Sequence, residues 1–298
     1  MQLAAVILVD GLVYASYLFM VAVGLTVIFG VQRVLNTTHG SFFAFGAYLA
    51  AMLIGAWYKA GWPAYGGFLI IVLSSAVVGI VLGLIIERCL LKYLYDRDEH
   101  IVVLATFAAF LALEDVMLLI WGTDPYYAVQ PVKELGATQI AGLKFDNYNL
   151  SMIAVSGVLA LSLWYALRRT RWGKMLLAVI YDREVSRAMG VNVTAVFLTT
   201  FILGSMLAAL GGAYLAPTIS VLPGIGVEVI VIAFAVVVIG GMGSIPGALI
   251  GAVIVGISRA AAVHLLPSVE LFVIYIIMAA VLIFRPEGLF VPVKARKI

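Results

Sequence analysis

Glu114, Asp115 and Arg259 are the residues most out of place in this sequence, because each stands inside a long run of apolar residues. A charge at the centre of a membrane-embedded helix costs about 2.5–3.5 kcal/mol on insertion scales, so such groups face protein or water rather than lipid. Pairing of Glu114 or Asp115 with Arg259 is one arrangement that meets this demand. A second kind of chemistry is offered where apolar runs are broken by polar and small residues. Asn36, Thr37, Thr38, His39, Gly40 and Ser41 form one break, and Gly240, Gly241, Gly243, Ser244 and Pro246 form another. Amides, carbonyls and helix ends freed at such breaks are tolerated at membrane depth only beside protein or a watery cavity, where they can meet a polar solute. Plainer readings stand beside this one. The glycines serve close helix packing, and His39 caps the following helix or bonds a neighbouring carbonyl instead of touching a substrate carboxylate. The third feature is RRTRWGKMLLAVIYDREVSRAMG, residues 168–190, which holds six of the 18 basic residues of the chain.

Enzymatic chemistry finds no foothold. His39, His100 and His264 with Ser244 form no H-E-x-x-H or G-x-S-x-G pattern, and there is no G-x-x-x-x-G-K-[ST] loop to bind and split ATP. Cys89 is the single cysteine, so no internal disulfide can form. No catalytic residue, cofactor or metal is expected. The net charge of +3 is spread along the chain and not gathered on one folded surface, which argues against nucleic acid as a partner.

What must position these residues is a set of membrane helices. The chain is 64% hydrophobic and 11% charged, against a soluble norm of about 25% charged, and its mean hydropathy is +1.16. At roughly 20 residues per crossing of a ~30 Å hydrocarbon core, the chain has room for about eight to ten spans and no soluble domain beside them. Nine apolar runs are visible, at 3–31, 39–58, 66–87, 101–121, 149–167, 194–216, 227–241, 246–266 and 269–284. Backbone groups in lipid must be satisfied within each segment, so the expected fold is all-α, one polytopic membrane domain over 1–298 with two helices interrupted at the breaks above. Short loops rich in Lys and Arg stay cytoplasmic. Nine crossings with the N-terminus outside place 14 of the 18 basic residues inside, among them Lys294, Arg296 and Lys297, and leave 122–148 as an external loop. No Lys or Arg occurs before the first run, so it is expected to remain a span and not a cleaved signal.

The basic stretch then falls in the longest cytoplasmic loop. From Lys174 to Met189 it contains no Pro or Gly, and Gly190 is placed to stop a helix. Met175, Leu176, Val179, Ile180 and Ala188 recur at helical spacing against a polar surface of Lys174, Asp182, Arg183, Glu184 and Arg187, which predicts a short amphipathic helix. Such a helix either does no more than fix topology or docks a cytoplasmic partner.

RTRWGKMLLAVIYDREVSRAMGVNV resembles the cytoplasmic coupling segment of the branched-chain amino acid type of ABC-transporter permease. The resemblance covers nearly the whole chain. GLTVIFGVQRVLNTTHGSFFAFGAYLA (24–50) is similar to that family's first signature, IER (86–88) to the opening of its first inner loop, AVVVIGGMGSIPGALIGA (235–252) to its second signature and RPEGLF (285–290) to its ending. It departs at Thr37-Thr38, where an aromatic and a small residue are usual, and at Ser41, where an acid is common. The resemblance implies an importer subunit carrying a branched-chain or similar small amino acid inward across the inner membrane, or, in the same family, urea or short-chain amides. It implies two separate cytoplasmic ATPase subunits coupled through segment 168–193, by way of Gly173, Ala178, Asp182, Glu184, Arg187 and Gly190. It also implies an external solute-binding protein and a related second permease subunit in preference to a homodimer. An ion-coupled secondary transporter is the alternative of another class, relaying through the intramembrane acids and needing no docking helix.

Overall fold

A computed structural model describes residues 2–290 other than 64, 96 and 141, so Lys294, Arg296 and Lys297 lie outside the described residues. Each of the nine apolar runs is a helix: α1 (Gln2–Gln32), α2 (His39–Lys59), α3 (Gly66–Cys89), α4 (Glu99–Trp121), α6 (Asn147–Arg169), α9 (Val193–Leu215), α10 (Ile225–Gly240), α11 (Ile245–Leu265) and α12 (Glu270–Phe284). Among the described residues, seven helices are long and apolar enough to cross a membrane, and α10 and most of α12 are shorter apolar helices. The chain is an all-α polytopic membrane protein. The 122–148 loop holds a short helix, α5 (Gln130–Leu135), and a hairpin of β1 (Ala137–Ile140) and β2 (Leu143–Asp146). Paired backbone hydrogen bonds between Tyr126 and Val221 pin this loop to the segment before α10.

The core is built around α1. Its 31 residues span about 46 Å, more than the hydrocarbon thickness, and residues 15–28 are buried almost without interruption. A helix that is apolar all round belongs inside other helices, and α9, α10, α11 and α6 pack against this one. Small residues set the approach distance. A Cβ on Gly24 would collide with the Gly204 carbonyl, and one on Gly46 with the Ala209 carbonyl, so α9 lies directly on the backbones of α1 and α2. Near its N-terminus α1 is clamped to α11 by His264 Nε2 and Asp10 Oδ2, 2.9 Å apart.

Candidate functional site

The first break reaches deep into the protein. Arg33 ends α1 in the left-handed region (φ 54°), an unusual conformation for a non-glycine residue, and turns the chain back along α1. Asn36 Oδ1 accepts from both the Thr38 amide (3.2 Å) and the Thr38 hydroxyl (2.6 Å). The Thr37 hydroxyl donates to Thr106 on α4 at 3.0 Å. His39 then opens α2 and donates from Nε2 to the Val21 carbonyl at 2.9 Å. Val21 lies 11 residues before the end of α1, so α2 starts roughly 17 Å back along it. Asn36, His39, Gly40 and Ser41 are all buried.

Gly40 brings in a third element. A Cβ there would come within 2.5 Å of the Gly226 carbonyl, so the first turn of α2 sits on the first turn of α10. Glu114 joins them: a Cβ on Gly226 would lie 2.7 Å from its Oε1, so its carboxylate sits at the first turn of α10. A carboxylate at a helix N-terminus is favoured by the free amides there. Glu114 stands seven residues before the end of α4, so α10 begins about 10 Å below that end, which accounts for its short span. Asp115, one residue on and about 100° further round α4, is exposed. Of the arrangements open to these acids, pairing with Arg259 is not the one adopted. Arg259 binds Glu270 at 2.5 Å and stacks over the Tyr14 ring at 4.1 Å, because the turn from α11 to α12 returns Glu270 beside it.

The second break lies at the other end of α10 from the first. Gly40 packs at one end of α10, whereas Gly240 and Gly241 close its other end, about 21 Å away. There the residues make a tight turn. A Cβ on Gly240 would collide with the Gly247 carbonyl, Gly241 takes φ +102°, and Gly243 takes φ +85°. Ser244 Oγ accepts from the Gly247 amide at 3.1 Å as the N-cap of α11, and Pro246 occupies its first turn. Phe290 and Leu289 donate to the carbonyls of Gly240 and Ile239, both at 3.0 Å, so the RPEGLF segment seals the second signature. Close packing and capping explain these residues. Ser244→Ala is therefore expected to cost about 1 kcal/mol, read as a lower melting temperature of the purified protein with transport retained at permissive temperature.

Also at the C-terminal end of α1, the basic stretch is two helices, not one. α7 (Arg171–Tyr181) and α8 (Arg183–Ala188) meet at Asp182, whose Oδ1 accepts from the Val185 amide at 2.9 Å and caps the second. Gly173 is buried where a Cβ would strike the end of α6. Leu176 and Val179 face inward against Val31 and Phe197, whereas Met175, Ala178 and Ala188 are exposed, contrary to the apolar stripe expected for Met175 and Ala188. Glu184 and Arg187 also point outward, and Gly190 (φ +85°) ends the unit. The outer face carries Tyr181, Val185 and Met189 at 48, 56 and 80% exposure, an apolar surface that no described element covers.

Arg183 joins this unit to the break. Its Nη2 donates to the last carbonyls of α1, Val31 at 3.3 Å and Gln32 at 3.2 Å, and its guanidinium lies 4.7 Å over the Phe197 ring. Beside it Tyr95 donates to buried Glu87 at 3.2 Å and packs on Phe197. Burial, and then the Glu87 charge, push the Tyr95 hydroxyl well above the usual phenol range, so it stays a neutral donor. A cavity of about 560 Å³ opens between Arg33, Arg97, Glu99, Tyr95 and the Asp182–Glu184 junction. Sequence reasoning placed Arg183 on a polar surface and assigned it no role, since nothing local to residue 183 points to residues 31 and 32.

The family model described as branched-chain amino acid transport system / permease component matches residues 7–282. The chain belongs to the branched-chain amino acid ABC permease family. Similar relatives cover nearly all of it. The high-affinity branched-chain amino acid transport system permease protein BraD of Pseudomonas aeruginosa is 25% identical, with 95% of this chain and 94% of that protein covered. LivH of Escherichia coli strain K12, described in the same terms, is 26% identical over 94% and 93%. A probable LivH permease of Methanocaldococcus jannaschii is 29% identical over 95% and 91%. As a permease of this family the chain is a transport subunit.

Proposed function

We propose that this chain is the permease subunit of an ATP-driven importer that carries a branched-chain or similar small amino acid inward across an inner membrane. The observation that carries this reading is the α7–α8 unit, apolar on its uncovered outer face and tied by Arg183 to the end of α1. ATPase subunits docking on residues 173–190 would push on α1, and through residues 33–35 on the break at 36–41, which serves as the translocation path. An external binding protein delivers the substrate, and a second, related permease completes the membrane part. The relatives named for branched-chain amino acid transport support the substrate class. The test is reconstitution with ATPases and binding protein in liposomes, where ATP-dependent leucine uptake is expected and ATP-independent uptake would overturn the reading.

Orientation is checked separately in a Cys89→Ser background. Single cysteines replacing Thr138, Met189 and Pro286, all exposed, are expected to react from the outside for residue 138 and only from the inside for 189 and 286, the arrangement that keeps basic loops cytoplasmic. Outside labelling at 286 would require an even number of crossings.

A further inference from the structure

Two helix stripes face each other along the seam of α2 and α4. On α2, Ser41, Phe45 and Tyr48 recur at i, i+4 and i+7, and on α4, Glu114 and Trp121 are separated by seven, so each set shares one face. The faces meet, since the Trp121 ring lies 5.5 Å from that of Phe45 and 5.4 Å from that of Tyr48. Polar groups on both stripes have no partner. Ser41 Oγ, Tyr48 Oη, Trp121 Nε1 and Glu114 Oε1 are all buried without a hydrogen bond, and the Ser41 and Tyr48 side chains are fully buried. Native interiors leave few such groups, because each costs about 1–3 kcal/mol of desolvation, and a concentration of them needs an occupant. Their chemistry is complementary to one kind of solute. Three are O–H or N–H donors, and one is a carboxylate that forms no ion pair with a basic side chain among the described residues. A zwitterionic amino acid offers an ammonium to the carboxylate and a carboxylate to the donors, while Phe45 and Met117 give its side chain an apolar wall. A sugar or an amide would leave the carboxylate without a counter-charge.

We propose that the α2–α4 seam is a substrate subsite in the path, with Glu114 receiving the ammonium group of an amino acid and Tyr48, Trp121 and Ser41 donating to its carboxylate. This rests on the importer reading above. The test uses the complete importer in liposomes and measures leucine uptake and binding-protein-stimulated ATPase activity. Glu114→Gln is expected to lower uptake about ten- to hundred-fold with ATPase stimulation retained, Glu114→Asp to recover a substantial part, and Tyr48→Phe to cost about two- to tenfold. A packing role alone predicts otherwise, since Gln has the shape of Glu and keeps the contact with Gly226. Wild-type uptake by Glu114→Gln, or no recovery in Glu114→Asp, overturns the subsite while leaving the importer reading in place. Failure of the wild-type complex to take up any amino acid overturns that reading and the subsite with it. If Glu114→Gln does not reach the membrane, Tyr48→Phe and Trp121→Phe decide, and unchanged uptake in both overturns the proposal.

Discussion

Replacing Arg183 with Met is expected to lower ATP-driven uptake tenfold or more while leaving the permease in the membrane and able to bind its ATPases. The side chain holds two terminal carbonyls of α1 and an aromatic face together, so it is the joint between the cytoplasmic helices and the longest buried helix. A hydrogen bond to a charged group contributes about 1.5–3 kcal/mol, and a cation near a helix C-terminus adds about 0.3–1 kcal/mol. A weakening of the joint by about 1.4 kcal/mol already changes the population of a coupled state tenfold. Met preserves the aliphatic stem and its packing, so the loss is in the connection and not in the fold. Arg183→Lys should fall between, because an ammonium can still donate to the two carbonyls but lacks the planar guanidinium that lies over the Phe197 ring. Uptake and ATPase rate measured together check this. Uptake at the wild-type level in Arg183→Met would mean that α7 and α8 act on the spans by another route.

The same joint shows which parts of the molecule were legible in the sequence. The spans were, because lipid forces every backbone polar group into its own helix and the apolar runs have to announce themselves. The run 39–58 is the helix His39–Lys59, and 227–241 is Ile225–Gly240. The break at 36–41 was legible for the same reason, as six polar or small residues have no business in lipid. Contacts were not. Gly226 and Glu114 complete that break from 186 and 74 residues beyond Gly40, and no local spacing records which helix ends meet. The kink at Asp182 was hidden by the absence of Gly or Pro from 174–189, although an Asp followed two residues later by Glu184 carries an N-cap signal that could have placed it. The Arg259–Glu270 pair was readable in principle, being 11 residues apart across one helix turn-back.

Glycine packing supplies the other large effect. Gly212→Ala is expected to lower the melting temperature by roughly 5–10 °C, whereas Gly157→Ala should leave it unchanged or raise it slightly. The two substitutions are chemically identical and both fall within helices. At Gly212 the new Cβ would run into the Phe43 carbonyl oxygen, with the Phe43 carbonyl carbon at 2.8 Å and the Ala47 nitrogen at 3.1 Å. These are backbone atoms, which cannot swing aside as a side chain does, so α2 and α9 must separate along their crossing. Overpacking of this kind costs about 1–3 kcal/mol, sometimes more, and one kcal/mol moves a midpoint by about 2–4 °C in a chain of 150–250 residues. At Gly157, on α6, the added methyl meets nothing within 4 Å, and the exchange carries only the helix-propensity gain of up to about 1 kcal/mol. Because the first turn of α2 holds His39, Gly40 and Ser41, a shifted α2 should also reduce uptake in Gly212→Ala at temperatures where the protein is folded. Thermal unfolding in detergent, with uptake measured on the same preparations, checks both. Equal melting temperatures for the two variants would mean that the α2–α9 crossing is looser than the backbone contact at Gly212 implies.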